Sequence, residues 1–194
     1  RAAQPHGGAA MRFDLIDFAA FDLHLLQRAD GAESYSEAQQ AAAAERFNAL
    51  SETGKKQLKR NIIAGLPGAN DSWGLEDVRA LLQSYKGFTR QQLRSHLIDF
   101  LSEVAPHAER LGLRLCCHPD DPPFSLLGLP RVMSSSADYS SVLNAVDLQA
   151  NGATLCTGSL GVAEDFDGPA FVETHGPRIH FAHLRNIKRI AGSD

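Results

Sequence analysis

Two histidines and a cysteine in the last third of the chain each end a short apolar run. They are His118 in LRLCCH (113–118), Cys156 in ATLC (153–156) and His183 in RIHFAH (178–183). Imidazole and thiolate are good ligands for transition metals, whereas magnesium and calcium select oxygen. A His2Cys set is one ligand short of a closed structural site. The open position suits water, a substrate or a carboxylate from elsewhere in the protein. Each residue alone has an ordinary alternative: a structural histidine at a strand end, or a cysteine serving as a small apolar side chain. The case for a metal rests on the three together. Cys116 and Cys117 lie beside His118 and are expected to be packing residues.

The intervals between the three are 38 and 27 residues. A strand–helix–strand unit takes about 30 residues. If the three runs are parallel neighbours, His118, Cys156 and His183 stand side by side at one sheet edge, beyond the carboxyl ends of the strands. Parallel α/β proteins build their sites there.

The loops that follow add polar groups. After His118 comes Pro119-Asp120-Asp121-Pro122-Pro123, in which Asp120 or Asp121 either orients His118 or simply forms the turn. After Cys156 comes Thr157-Gly158-Ser159-Leu160-Gly161, whose glycines let backbone amides approach a ligand. Arg185, two residues after His183, is a natural partner for a substrate carboxylate, and Arg131 is a weaker one. For either arginine the ordinary alternative is a surface salt bridge.

These strands must be carried by helices. Residues 136–146 and 168–175 supply the two crossovers, and alternating β and α elements argue for a parallel sheet flanked by helices. Upstream, Thr89 caps a long amphipathic helix to about Arg110, with Leu93, Leu97, Phe100, Leu101 and Val104 on one stripe. Pro106 inside it is expected to introduce a kink. The first ninety residues look helical: a buried segment around 13–26, an Ala- and Gln-rich helix over 36–50, a third from Ser51 ended by Pro67-Gly68, and a fourth over 74–85. No strand is expected in this block. The resulting organisation is a helical segment with crossover helices over 1–110 and three β/α units over 111–194, as parts of one domain.

Of the 194 residues, 43% are hydrophobic and 22% charged, which fits a globular protein rather than a disordered one. The net charge of −4 and the absence of a basic stripe give no reason to expect nucleic acid. No apolar run approaches the roughly 20 residues needed to span a bilayer. Three cysteines make no disulfide framework, and an odd count favours a reducing compartment, here the cytoplasm. Residues 1–10 lack the apolar core of a secretory signal. A chain starting with Arg1 is expected to have upstream sequence.

Several motifs together resemble the mannonate dehydratase family of the hexuronate pathway. They are HPDDPP (118–123), GLPR (128–131), ANG (150–152), LCTGSLG (155–161) and HLR (183–185), preceded by RFDLIDFAAFDLHLL (12–26) and RNIIAGLPGA (60–69). The resemblance implies an α/β fold, a TIM-type (β/α)8 barrel of the xylose isomerase-like group with a helical insertion, only partly represented in this chain. It implies a lyase that removes water from D-mannonate to give 2-keto-3-deoxy-D-gluconate, using Mn2+ or Fe2+. It places the metal ligands on His118, Cys156 and His183. The chemistry of the loops, read by itself, puts Arg185, Ser159 and Arg131 toward the substrate and Asp120 and Asp121 behind the ligands.

The family's fourth ligand, an Asp in a DHG motif, and its acid/base residues, including a tyrosine, are expected beyond Asp194. Tyr35, Tyr85 and Tyr139 sit in segments that do not match, so the catalytic acid and base are unassigned here. The helical insertion offers a surface for a homodimer. Two alternatives stay open: a metal-dependent sugar isomerase or epimerase on the same barrel, and a truncated remnant without catalysis.

Overall fold

Ser36, Ser51, Thr89 and Ser135 each stand one residue before a helix, with a side-chain oxygen accepting an N–H of the first turn. Such caps satisfy amides that have no partner within the helix. At Ser36 and Thr89 the glutamine three residues on returns a bond to the capping residue's own N–H, at 2.9 Å in both cases. The structure, a computed structural model, describes residues 2–3, 5–10, 12–66 and 72–189. The chain divides into two compact units, one up to Lys86 and one spanning Gly87–Arg189.

The first unit opens with a small antiparallel pair, β1 (Ala2–Ala3) and β2 (Ala9–Ala10), which departs from the all-helical expectation. Helix α1 (Leu15–Ala20) runs directly into a π-helical turn over Phe21–Leu26 and ends at Gln27 in a left-handed conformation, φ 54°. Then follow α2 (Glu37–Ala49), α3 (Glu52–Ala64) and α4 (Leu75–Ser84). Pro67 and Gly68, expected to end the third helix, lie outside the described residues. Phe18, Ala19, Ala20, Phe21 and Leu26 are buried, as are Ala43, Leu58, Ile63 and Val78 from the three later helices. Among the described residues the buried carboxylate of this core is Asp22, which accepts from Arg28 and from the Tyr35 hydroxyl at 3.0 Å. Burial and the neighbouring Asp22 charge both push the Tyr35 phenol above its ordinary range.

The second unit begins with α5 (Arg90–Arg110), which stays helical through Pro106. Gly112, at φ 68°, turns the chain out of it. Thereafter β3 (Leu115–Cys117), α6 (Ser136–Ala145), β4 (Asn151–Cys156), α7 (Gly168–His175) and β5 (Ile179–His183) alternate as the apolar runs suggested. The sheet is parallel throughout, in the order β3-β4-β5. Leu115, Cys117, Ala153, Leu155 and Ile179 pack toward a core built from Leu101, Ala105, Tyr139, Val142, Leu143 and Phe171. Cys117 is therefore a packing residue, but Cys116 is exposed, because alternation along β3 turns it to the other face.

Strand β5 contains an irregularity with direct consequences for the site. Ala153 pairs with Ile179, but Thr154 pairs with Phe181, so His180 is an extra residue. A bulge of one residue reverses the facing of everything after it. Without it, Ala182 would stand opposite Cys156. With it, His183 stands there. The His180 ring lies over the β4 backbone, where a Cβ on Gly152 would come within 2.0 Å of its Cδ2. Gly152 is what lets the bulge sit flat.

Candidate metal centre

Strand β4 ends at Cys156, β5 ends at His183, and His118 follows the last residue of β3. One potential ligand atom from each lies within 4.8 Å of the others. His183 Nδ1 is 3.6 Å from Cys156 Sγ and 3.5 Å from His118 Nε2. The tautomer of His118 follows from its other nitrogen. Nδ1 is 2.8 Å from the Pro119 carbonyl, an oxygen that only accepts, so Nδ1 carries the proton and Nε2 presents a lone pair.

Cys156 is fully buried, and its sulfur is surrounded by donors. Ser159 offers its N–H at 3.4 Å and its hydroxyl at 3.3 Å, and Arg185 Nη2 is also 3.4 Å away. Burial favours the neutral thiol, but the bonds from Ser159, Arg185 and the Gly158 amide outweigh it and lower the thiol to about 7. Cys117 shows the opposite balance: burial, reinforced by Asp120, raises it to about 11. Of these two cysteines, Cys156 is the one suited to be a thiolate at neutral pH.

Two imidazoles and a sulfur thus converge, a set of groups that a cation can join. Ligands held about 2.0–2.3 Å from a tetrahedral ion stand about 3.3–3.7 Å apart. The two separations involving His183 fall within that range and the third lies within 4.8 Å, so the residues fit a borderline transition metal with one or more positions left for other ligands.

The residues behind this trio are arranged differently from the expectation. Neither Asp120 nor Asp121 orients His118; the Pro119 carbonyl does so. Asp120 instead closes its own loop, accepting from the amides of Val132 (2.9 Å) and Met133 (2.8 Å) and from the Ser134 hydroxyl (3.0 Å). Asp121 accepts from Arg185 Nη2 at 2.7 Å. Burial opposes its ionisation, but Arg185 and Ser159 outweigh burial and hold its carboxyl below the ordinary range. Arg131 donates to the Phe124 carbonyl at 3.1 Å, which makes it a loop tie in this structure.

Arg185 is fixed from several sides. Its Nη2 also reaches Ser159 Oγ at 2.8 Å, its amide donates to Thr157 Oγ1 at 2.9 Å, and its carbonyl accepts from the same hydroxyl at 2.7 Å. It lies across Gly158, where an added Cβ would stand 2.6 Å from its Nε and 2.8 Å from its Cβ. Thr157 carried no distinct signal in the sequence. Tyr139, buried beneath the strand ends, donates to the Cys117 carbonyl at 2.9 Å and is a scaffold residue.

The family model for D-mannonate dehydratase (UxuA) matches residues 2–194. The chain belongs to the mannonate dehydratase family. It is 53% identical over 184 residues to a mannonate dehydratase of Rhizobium meliloti (strain 1021), covering 95% of this chain and 46% of that protein. Mannonate dehydratase 1 of Agrobacterium fabrum (strain C58 / ATCC 33970) is 52% identical, with the same coverage of 95% and 46%. The crystal structure of mannonate dehydratase from Streptococcus suis serotype2 aligns with a TM-score of 0.54 at 31% identity, over 63% of this chain and 36% of that one. The chain thus spans about half the length of the curated relatives it matches.

Proposed function

We propose that this chain carries the metal-binding part of a hydro-lyase that converts D-mannonate to 2-keto-3-deoxy-D-gluconate in hexuronate catabolism. The observation that carries the reading is the convergence of His118, Cys156 and His183 within 4.8 Å at the carboxyl ends of three parallel strands, in a chain of this family.

The reaction removes a proton from C2, beside the substrate carboxylate, and loses the C3 hydroxyl as water. The difficulty is the negative charge that builds next to an existing carboxylate. A bound divalent metal, Mn2+ or Fe2+ in this proposal, supplies positive charge to that region. His118 and His183 would hold it through neutral imidazole nitrogens and Cys156 through its thiolate. The hydrogen bond to Pro119 fixes the direction of the His118 lone pair. Arg185 adds a second positive charge within reach of the same sulfur. The proton acceptor and donor are assigned to no residue of this chain.

The same reading extends to architecture and setting. Residues 111–194 would supply three β/α units of a (β/α)8 barrel of the xylose isomerase-like group, and residues 1–110 a helical insertion with crossover helices, within one domain. The protein would act as a cytoplasmic homodimer on a small sugar acid, with no call on nucleic acid. Among the described residues no helix is long and apolar enough to cross a membrane.

The test is an assay of the purified intact protein with D-mannonate and added Mn2+ or Fe2+, read by formation of the 2-keto-3-deoxy acid. Metal content is measured alongside. Keto-acid formation together with loss of bound metal on substituting both Cys156 and His183 is the expected result. Stoichiometric metal in that double variant would refute the site, and ketose–aldose interconversion without loss of water would replace the lyase by an isomerase.

A further inference from the structure

Ser159 was a candidate substrate contact, yet its hydroxyl faces the Cys156 sulfur. The residue is fully buried. Its Oγ lies 3.3 Å from Cys156 Sγ and 2.8 Å from Arg185 Nη2. The guanidinium only donates, so it occupies a lone pair of the serine oxygen, and the one hydroxyl hydrogen, for which Asp121 and the sulfur are both acceptors, has the sulfur at 3.3 Å. The serine N–H approaches the same sulfur at 3.4 Å. Arg185 is held in turn by Asp121 Oδ2 at 2.7 Å and by the Thr157 hydroxyl, and it lies across Gly158. The result is one continuous path, Asp121–Arg185–Ser159–Cys156, with every link a polar contact.

We infer that Ser159 is a positioning residue that acts through Cys156, damping the sulfur's donation to a bound divalent cation. This rests on the metal-centre reading given above. Two hydrogens from one residue stabilise the sulfur lone pairs and fix their direction, as groups behind metal ligands generally do. A thiolate held in this way transfers less charge, so the cation keeps more of its pull on a substrate oxygen. It also favours harder ions over soft ones, because softness is what an undamped thiolate selects. Arg185 serves the same end by orienting the serine and by its own contact with the sulfur, rather than only by waiting for a substrate carboxylate.

The experiment uses the intact protein loaded with Co2+ alone and follows the sulfur-to-cobalt charge-transfer absorption. Stabilised sulfur lone pairs raise the energy of that band. Ser159→Ala is therefore expected to keep one cobalt per site while moving the band to longer wavelength, and Ser159→Thr to restore the wild-type position. Selectivity for Zn2+ over Mn2+ should rise about tenfold in Ser159→Ala, the lower end of what loss of a group behind a ligand typically does. Arg185→Gln, which removes the donor to Ser159 Oγ, should shift the band in the same direction.

The controls separate the two levels of the argument. Cys156→Ser must abolish the band; if it persists there, the metal-centre reading itself fails. A band that is lost in Cys156→Ser but unmoved in Ser159→Ala overturns the tuning role and leaves the centre intact. Loss of cobalt binding in both Ser159→Ala and Arg185→Gln would make the path a structural requirement and equally overturn it.

Discussion

At the scale of single residues, two adjacent regions of the same sheet treat a thiol in opposite ways. Cys117 faces the apolar core and is raised to about 11, whereas Cys156 meets three donors and is lowered to about 7. Because a metal binds the thiolate, metal and proton compete for Cys156. Affinity for a divalent metal should therefore change little with pH above about 7. Below that value the thiol is protonated, and affinity should fall at least tenfold per unit. Metal titration between pH 5 and 8 measures this, and a flat profile would remove Cys156 from the ligand set. Gly158 provides a second prediction at this scale. Gly158→Ala puts a Cβ into the space of Arg185 and must push the guanidinium off Ser159 and Cys156. Turnover is expected to fall at least about tenfold, as loss of a group behind a ligand does, while Gly161→Ala, whose Cβ finds no neighbour closer than 3.9 Å, serves as the control. Equal turnover in the two variants would show that the position of Arg185 is immaterial.

At the scale of elements, what could be read in advance was whatever local chemistry determines. Ser51 and Thr89 announced helices because a cap is a contact across three residues, and the helix after Ser36 was legible from its Ala and Gln. LRLCCH, ATLC and RIHFAH announced strands because buried parallel strands are short apolar runs. The spacing of His118, Cys156 and His183 announced their convergence because crossover units have a narrow range of lengths. The bulge at His180 was not legible. Strict alternation through RIHFAH puts Ile179 and His183 on one face, and only pairing with β4 shows that they lie on opposite faces. The π-helical turn at Phe21–Leu26 and the two-residue strands β1 and β2 were hidden for the same reason, since neither has a pattern long enough to detect. Asp120 and Asp121 were identified as polar groups near the site, but their partners lie 12 to 64 residues away, beyond any local rule. Asp120 has a testable task as a result. Asp120→Ala leaves the amides of Val132 and Met133 without their acceptor, which should cost about 2 kcal/mol in urea denaturation. The loop that begins at His118 is then less fixed, so metal affinity should weaken with it. Unchanged stability would mean that water replaces the carboxylate without loss.

At the scale of the whole molecule, the sheet of the second unit has two unfinished sides. Among the described residues, β3 and β5 each pair only with β4, so each presents a row of free backbone donors and acceptors on its outer side. Such edges join other strands unless they are covered, charged or interrupted by proline. Here the outer strands carry little of that protection: β3 is LCC and β5 is IHFAH, with Phe181 more than half exposed. In the proposed barrel both edges would be paired and the exposed face, with Cys116 and Phe181, would turn inward. Among the described residues neither edge has such cover. Expressed by itself, the 194-residue polypeptide is expected to associate through β3 and β5 and to elute well above 21 kDa in size-exclusion chromatography with light scattering. Placing a proline at Ala182 in β5 should reduce that association, because it removes an amide from the strand and disfavours further pairing. A monodisperse 21 kDa species without that substitution would show that the edges are already satisfied within the chain, and the argument for a closed barrel would lose its physical basis.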